Sequence, residues 1–171
     1  MWWADKSLAA RASAIRLVAF DVDGVCTDGR FYYGADGEAL HAFHARDGMG
    51  LVVARQNGLP TAAISGRNSK NVQARLSELK VPHILQGIHD KPAHLDALRQ
   101  EYDCQWSEVA FIGDDVNDIQ LLQQVGLAAT VADAAYGVGD HAHFSLKASG
   151  GRGALREFIE GILRVQGKWP F

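Results

Sequence analysis

The sequence predicts an α/β protein, a three-layer α/β/α arrangement around a mostly parallel central sheet, and two patterns carry that reading. Short apolar runs recur along the chain, each stopping at Ser, Gly or Asp, and between them lie longer segments with apolar residues three and four apart. Strand–helix alternation of this kind closes into a parallel sheet covered on both faces. A bound supports it: 171 residues, 47% hydrophobic and 22% charged, are the size and make-up of one globular domain.

The elements follow in order. Ile15 to Phe20 is a short apolar run leading into Asp21, the mark of a buried strand. From Arg30 to His44 the alternation breaks, and two short strands joined by Gly34-Ala35-Asp36-Gly37 read as a β-hairpin insertion over 30–44. Further strands are predicted at Thr61–Ile64, Pro82–Leu85, Val109–Ile112 and Leu127–Val131. Amphipathic helices are predicted over Met49–Arg55, Val72–Leu79, Ala93–Tyr102, Ile119–Val125 and Leu155–Val165. Neither a repeat nor a linker interrupts them, so residues 1–171 are expected to form a single domain with a C-terminal tail at 166–171.

Composition narrows the function. Seventeen Lys and Arg against twenty Asp and Glu give a net charge of −3, which argues against a nucleic-acid or anionic-membrane partner engaged through bulk charge. No run of eighteen apolar residues occurs, and Met1 to Lys6 lacks a signal-peptide pattern, so the expectation is a cytoplasmic protein. Two cysteines, Cys26 and Cys104, are too few and too far apart for a metal knuckle. The seven histidines include His41, His44, His89, His94, His141 and His143, none in zinc-helix spacing, and are expected mostly at surfaces or interfaces.

Parallel sheets of this kind bind ligands beyond the carboxyl ends of their strands, and there the acidic residues gather. Asp21 and Asp23 sit two apart on extended backbone, so both can face one small volume. Two carboxylates about 4 Å apart repel by roughly 4 kcal/mol at an effective dielectric near 20, which calls for a held proton or a bound cation. Gly113-Asp114-Asp115-Val116-Asn117-Asp118 supplies further carboxylates in an equivalent strand-end loop. An oxygen-rich set with few dedicated ligands suits Mg2+. Ser65-Gly66-Arg67 offers a hydroxyl, an open backbone N–H and a guanidinium after the next core strand, and Lys91-Pro92 opens a helix; together they read as a phosphate grip.

The order Asp-x-Asp, Ser, Lys, Gly-Asp-Asp-x-x-Asp resembles the haloacid-dehalogenase-superfamily phosphatases over nearly the whole chain. Asp21-Val22-Asp23-Gly24-Val25, Thr27-Asp28-Gly29, Phe43-His44, Arg46-Asp47-Gly48-Met49-Gly50, Ile64-Ser65-Gly66-Arg67 and Gly150-Gly151-Arg152-Gly153 look more closely like the 3-deoxy-D-manno-octulosonate 8-phosphate phosphatases. The resemblance implies a Rossmann-like fold and an aspartyl-phosphate mechanism. In it Asp21 is the nucleophile, Asp23 the general acid and base, and Ser65 and Lys91 the holders of phosphoryl oxygens. Mg2+ would be held by Asp21, Asp114 and the Asp23 backbone carbonyl, while Asp115 and Asp118 orient metal-bound water and Lys91. The implied substrate is a phosphorylated sugar acid of lipopolysaccharide precursor synthesis, whose carboxylate and hydroxyl end would meet Arg67 and Arg75 first, then Arg46 or Arg152, from one subunit or from different ones, beside Gly66.

The first gap between motifs holds only a hairpin and one helix, so no cap domain fits. Apolar Phe31, Tyr32, Tyr33, Leu40 and Phe43 on both faces of the hairpin, with the resemblance, imply a homotetramer built through it. Gly167 to Phe171 either frays or docks on a neighbour. Three alternatives stand beside this reading: the same chemistry on a nonulosonate or N-acylneuraminate 9-phosphate, a catalytically inactive oligomeric scaffold, and a protein phosphatase.

Overall fold

The computed structural model describes residues 1–170; Phe171, the last residue of the expected tail, lies outside the described residues. Its centre is Leu17–Phe20 (β1), four consecutive buried residues. A hairpin follows, Tyr32–Gly34 (β2) and Gly37–Leu40 (β3), then Ala45–Gln56 (α2), after an N-terminal Lys6–Ser13 (α1). Thr61–Ile64 (β4), Lys70–Glu78 (α3), His83–Leu85 (β5) and Lys91–Glu101 (α4) come next. Val109–Gly113 (β6), Ile119–Gln124 (α5), Leu127–Thr130 (β7), Phe144–Ser145 (β8) and Ala154–Val165 (α6) complete the chain.

The main sheet runs β5-β4-β1-β6-β7-β8 with every pairing parallel, and β2 and β3 form a separate antiparallel pair. Side chains alternate between its faces as period-two strands require. Leu17, Ala19, Ile64 and Phe111 face Leu95 and Leu98 of α4 and Leu121 of α5. Val18, Phe20, Ala63 and Ile112 face Leu51 of α2, Leu76 of α3 and Phe158 and Ile162 of α6. Among the described residues no cap domain interrupts this arrangement: the first gap holds the hairpin and α2, the second α3 and β5.

Among the described residues the structure adds one α-helix and one strand to those predicted, besides short 3-10 turns. Helix α1 begins where the Asp5 carboxylate accepts the Ser7 and Leu8 amides at 2.8 and 3.0 Å. It buries only Ala12 fully, too little for a periodic signal. Strand β8 has two residues, shorter than any alternation can mark. Helices α2 and α4 also start before their apolar periodicity, because their first turns carry the buried polar residues Asp47 and Lys91.

From β1 the chain builds outward through β4 to β5, then crosses back to lay β6 on the other side of β1. The carboxyl ends of β1 and β6 therefore meet at the switch point, with the Asp21 amide donating to the Ile112 carbonyl at 3.0 Å. Under the loop that leaves β1 lies the glycine-rich turn before α6. The Gly151 amide donates to the Val25 carbonyl at 2.9 Å, and a Cβ at Gly150 would overlap the Gly24 carbonyl oxygen.

Candidate active site

Asp21 is the first residue beyond β1, and the chain turns at once so that the Cys26 and Thr27 amides donate to the Val22 carbonyl at 2.9 and 3.2 Å. Gly24 holds φ +88°, and a Cβ there would run into the Asp114 carboxylate, so the close approach of the two strand-end loops requires glycine. The Thr27 hydroxyl accepts the Gly24 and Gly29 amides, both at 3.3 Å, and ties the turn to itself.

Behind Asp21 lies a buried ion cluster. Lys91 at the start of α4 donates to Asp21 Oδ1 at 2.8 Å and to Asp118 Oδ1 at 2.7 Å. The exposures of Asp21, Lys91 and Asp118 are only 5, 2 and 0%. The other Asp118 oxygen accepts the Asp114 and Asp115 amides at 2.9 and 3.4 Å, so Asp118 fastens the second acidic loop to the lysine. Burial works against the Lys91 charge, yet Asp21 and Asp118 outweigh it and raise its pKa above the usual lysine value.

One ammonium does not balance the carboxylates. Burial, then the neighbouring Asp118, pushes Asp21 up to about 7 against the pull of Lys91. Burial, then Asp21, Asp118 and Asp115, pushes Asp114 up to about 8. Oxygens of Asp21, Asp114 and Asp118 lie within 4.8 Å of one another, and Asp114 Oδ1 is buried with no hydrogen-bond partner among the described residues. Such a set fits a hard divalent cation, which supplies the missing positive charge. Asp118 already spends both oxygens on Lys91 and the backbone, leaving Asp21 and Asp114 as the side chains with oxygen to offer.

A cavity of about 230 Å³ opens in front, lined by Asp21, Asp23, Gly66, Arg67, Asp114 and Asp115 with Gly29, Phe31 and Asn117. Ser65 follows β4, and its hydroxyl donates to Asp23 Oδ2 at 3.4 Å while accepting the Arg67 amide at 3.1 Å. The helix after it is capped by Ser69 rather than Ser65. The Arg67 guanidinium lies 3.6 Å from the centre of the Phe31 ring and donates to the Tyr33 hydroxyl at 3.1 Å, so the hairpin holds it at the cavity. Asp115 is exposed and its Oδ1 accepts the Val116 amide at 2.7 Å, which commits that oxygen to the local turn.

Three predicted arginines stand elsewhere in the chain. Arg75 pairs with Glu78 at 2.8 Å and lines a separate cleft between α2 and α3, because its position on α3 points it across Gly48. Arg46 and Arg152 line an open cavity of about 480 Å³ with Trp3, Arg156, Glu157 and Glu160. The resemblance implied these arginines for the carboxylate end of the substrate, and within one chain they do not line the cavity beside Asp21.

Two residues with no predicted role are drawn in. His41, among the histidines expected mostly at surfaces or interfaces, has a fully buried side chain with Nε2 3.8 Å from Asp23 Oδ1. Asp47 accepts the Gly153 and Arg156 amides at 3.1 and 2.8 Å and so caps α6, fixing the glycine-rich turn beneath the β1 loop. Both contacts join segments far apart in sequence, and the only signal for Asp47 was its place in the quoted Arg46-Asp47-Gly48 motif.

Comparison with known proteins bears on this geometry. A family model described as haloacid dehalogenase-like hydrolase matches residues 61–155, more than half of the chain. The 3-deoxy-D-manno-octulosonate 8-phosphate phosphatase KdsC of Yersinia pestis is 42% identical over 158 residues, covering 92% of this chain and 84% of its own. A crystal structure of the Yersinia pestis phosphatase of that name superposes with a TM-score of 0.93 at 40% identity, over 96% of this chain and 89% of that one. The Moraxella catarrhalis phosphatase, crystallised with magnesium, phosphate and a KDO molecule, superposes with a TM-score of 0.91 at 35% identity, over 95 and 93% of the two chains. Family match, sequence identity and superposition agree, and the chain belongs to the haloacid dehalogenase-like hydrolase family.

Proposed function

We propose that this protein is a Mg2+-dependent phosphatase that hydrolyses 3-deoxy-D-manno-octulosonate 8-phosphate to the free sugar acid and phosphate. The observation that carries the reading is Asp21 at the switch point, hydrogen-bonded to a buried lysine and facing an open cavity beside Asp23. The likeness to relatives that bear this activity in their names supports the substrate.

In the first step the Asp21 carboxylate attacks phosphorus; an Asp–O–P bond forms as the P–O bond to the sugar breaks, and Asp23 gives its proton to the departing sugar oxygen. In the second, a water oxygen attacks the aspartyl phosphate and loses a proton to Asp23, phosphate departs and the Asp21 carboxylate returns. Lys91, Ser65 and the backbone N–H of Gly66 hold phosphoryl oxygens during both displacements. Asp118 keeps Lys91 aimed, and Asp115 lines the wall of the cavity. When bound, Mg2+ held by Asp21, Asp114 and the Asp23 carbonyl supplies positive charge that offsets repulsion between nucleophile and phosphate. Arg67, stacked on Phe31, receives the sugar carboxylate.

The open cavity leaves room for a neighbouring copy. Tyr32, Tyr33 and Leu40 on the hairpin are 45, 65 and 50% exposed, an apolar surface that suits self-association into a homotetramer. Leu40→Asp is expected to shift the protein to a smaller species in size-exclusion chromatography; an unchanged elution volume defeats the hairpin interface. Arg75, Arg46 and Arg152, which do not line the cavity of their own chain, act on substrate only if such an assembly brings them to a neighbour's cavity. A cytoplasmic location agrees with the intracellular sugar-phosphate chemistry proposed.

Purified protein should release phosphate from the 8-phosphate substrate with Mg2+, lose that activity in excess chelator and regain it on adding Mg2+ back. Parallel assays with a nonulosonate 9-phosphate and with a phosphopeptide rank the substrates. Faster turnover of either overturns the substrate assignment.

A further inference from the structure

We infer that His41 is a positioning residue for the general acid Asp23, so that the hairpin insertion takes part in leaving-group protonation. The inference rests on the phosphatase reading above.

His41 follows directly on β3, and its imidazole is buried with Nε2 3.8 Å from Asp23 Oδ1. The ring stands edge-on between Phe31 and Phe43, at centroid distances of 5.4 and 6.2 Å. On its other edge, Nδ1 lies 3.4 Å from the Ser69 hydroxyl, whose oxygen accepts the Val72 amide at 3.3 Å at the start of α3. The Ser69 amide in turn donates to the Gln86 side chain at 2.7 Å. Aromatic packing and a helix cap thus set the orientation of the ring.

A neutral imidazole has one ring N–H and one acceptor nitrogen. With the Ser69 hydroxyl proton directed at Nδ1, the ring presents an Nε2–H to the Asp23 carboxyl. Ser65 reaches the other oxygen at 3.4 Å. Rotation of a carboxylate about its terminal torsion is soft, so the Ser65 hydrogen bond at one oxygen and the Nε2 edge, beyond hydrogen-bond distance at 3.8 Å from the other, together bias a direction that Asp23 cannot set by itself. Asp23 retains 19% side-chain exposure and lines the cavity, while His41 has none and does not touch substrate. The role assigned to His41 is therefore aim, not proton transfer.

A test follows from leaving-group chemistry. Expulsion of a sugar alkoxide needs a proton from Asp23, whereas p-nitrophenolate leaves without one, and kcat/KM reports steps only through the first irreversible cleavage. His41→Leu in the full chain is expected to lower kcat/KM for the sugar 8-phosphate at least about tenfold more than for p-nitrophenyl phosphate. His41→Gln, which keeps an N–H, should recover part of that ratio, and Asp23→Asn should show the same selectivity at full size. Because both rates come from one preparation, loss of folded protein cancels from the ratio. An equal fall on both substrates, or no fall on the sugar phosphate, overturns the inference while leaving the phosphatase reading in place. A parent protein inactive on both substrates removes the reading and the inference together.

Discussion

Asp21→Asn is expected to lower phosphate release by about 10⁴-fold or more, because an amide cannot form the aspartyl phosphate and the remaining groups only bind. Stability should not fall with it. Asp21 is a buried carboxylate crowded by Asp118 and Asp114, and Lys91 retains its 2.7 Å partner in Asp118 when Asp21 is neutral. Thermal denaturation should therefore give a midpoint at or above that of the parent, while steady-state phosphate release drops to background. A variant that still turns over near the parent rate would remove the covalent mechanism. A variant that unfolds would show that Asp21 serves the cluster as a structural ion more than as a reacting group.

Lys91→Met is expected to damage both activity and fold. The substitution keeps much of the length and apolar stem, but it strips the ammonium from two buried carboxylates that it holds at 2.8 and 2.7 Å. Breaking a buried ion pair by removing one partner costs about 3–5 kcal/mol. For a chain of this size each kcal/mol shifts the midpoint by about 2–4 °C, so a fall of roughly 6–20 °C is expected. Adding Asp118→Asn to Lys91→Met should return part of the midpoint and none of the activity, since the phosphoryl oxygens still lack their cation. Parent-like stability in the single variant would mean that the cluster adjusts its protons without the lysine.

These two cases show which parts of the site could be read from sequence. Asp21 and Asp23 follow an apolar run, Asp114 follows another, and Lys91 precedes Pro92 at a helix start; each signal is local, so strand and helix periodicity sufficed to place them at one rim of the sheet. Arg67 was legible for the same reason, as it closes the Ser65-Gly66-Arg67 turn. Arg75, Arg46 and Arg152 were named from the resemblance, from one subunit or different ones, and the direction of a long side chain depends on what packs beside it, here Gly48 and Glu78 for Arg75. His41 and Asp47 escaped because their partners lie in distant segments. Of the fold, the five central strands and the helices between them were legible; α1 and β8 were too short or too polar to register a period.

The contact between the glycine-rich turn and the loop after β1 has a consequence for biosynthesis. Every reacting side chain named above has been translated by residue 118, yet the support beneath Gly24 and Val25 comes from Gly150 and Gly151, themselves anchored through Gly153 and Asp47. A nascent polypeptide carries the complete chemical apparatus for some thirty residues before the floor under it is synthesised. The loop after β1 is thus expected to reach its working shape only once the glycine-rich turn and α6 have been made, which ties the onset of turnover to the last part of the described fold.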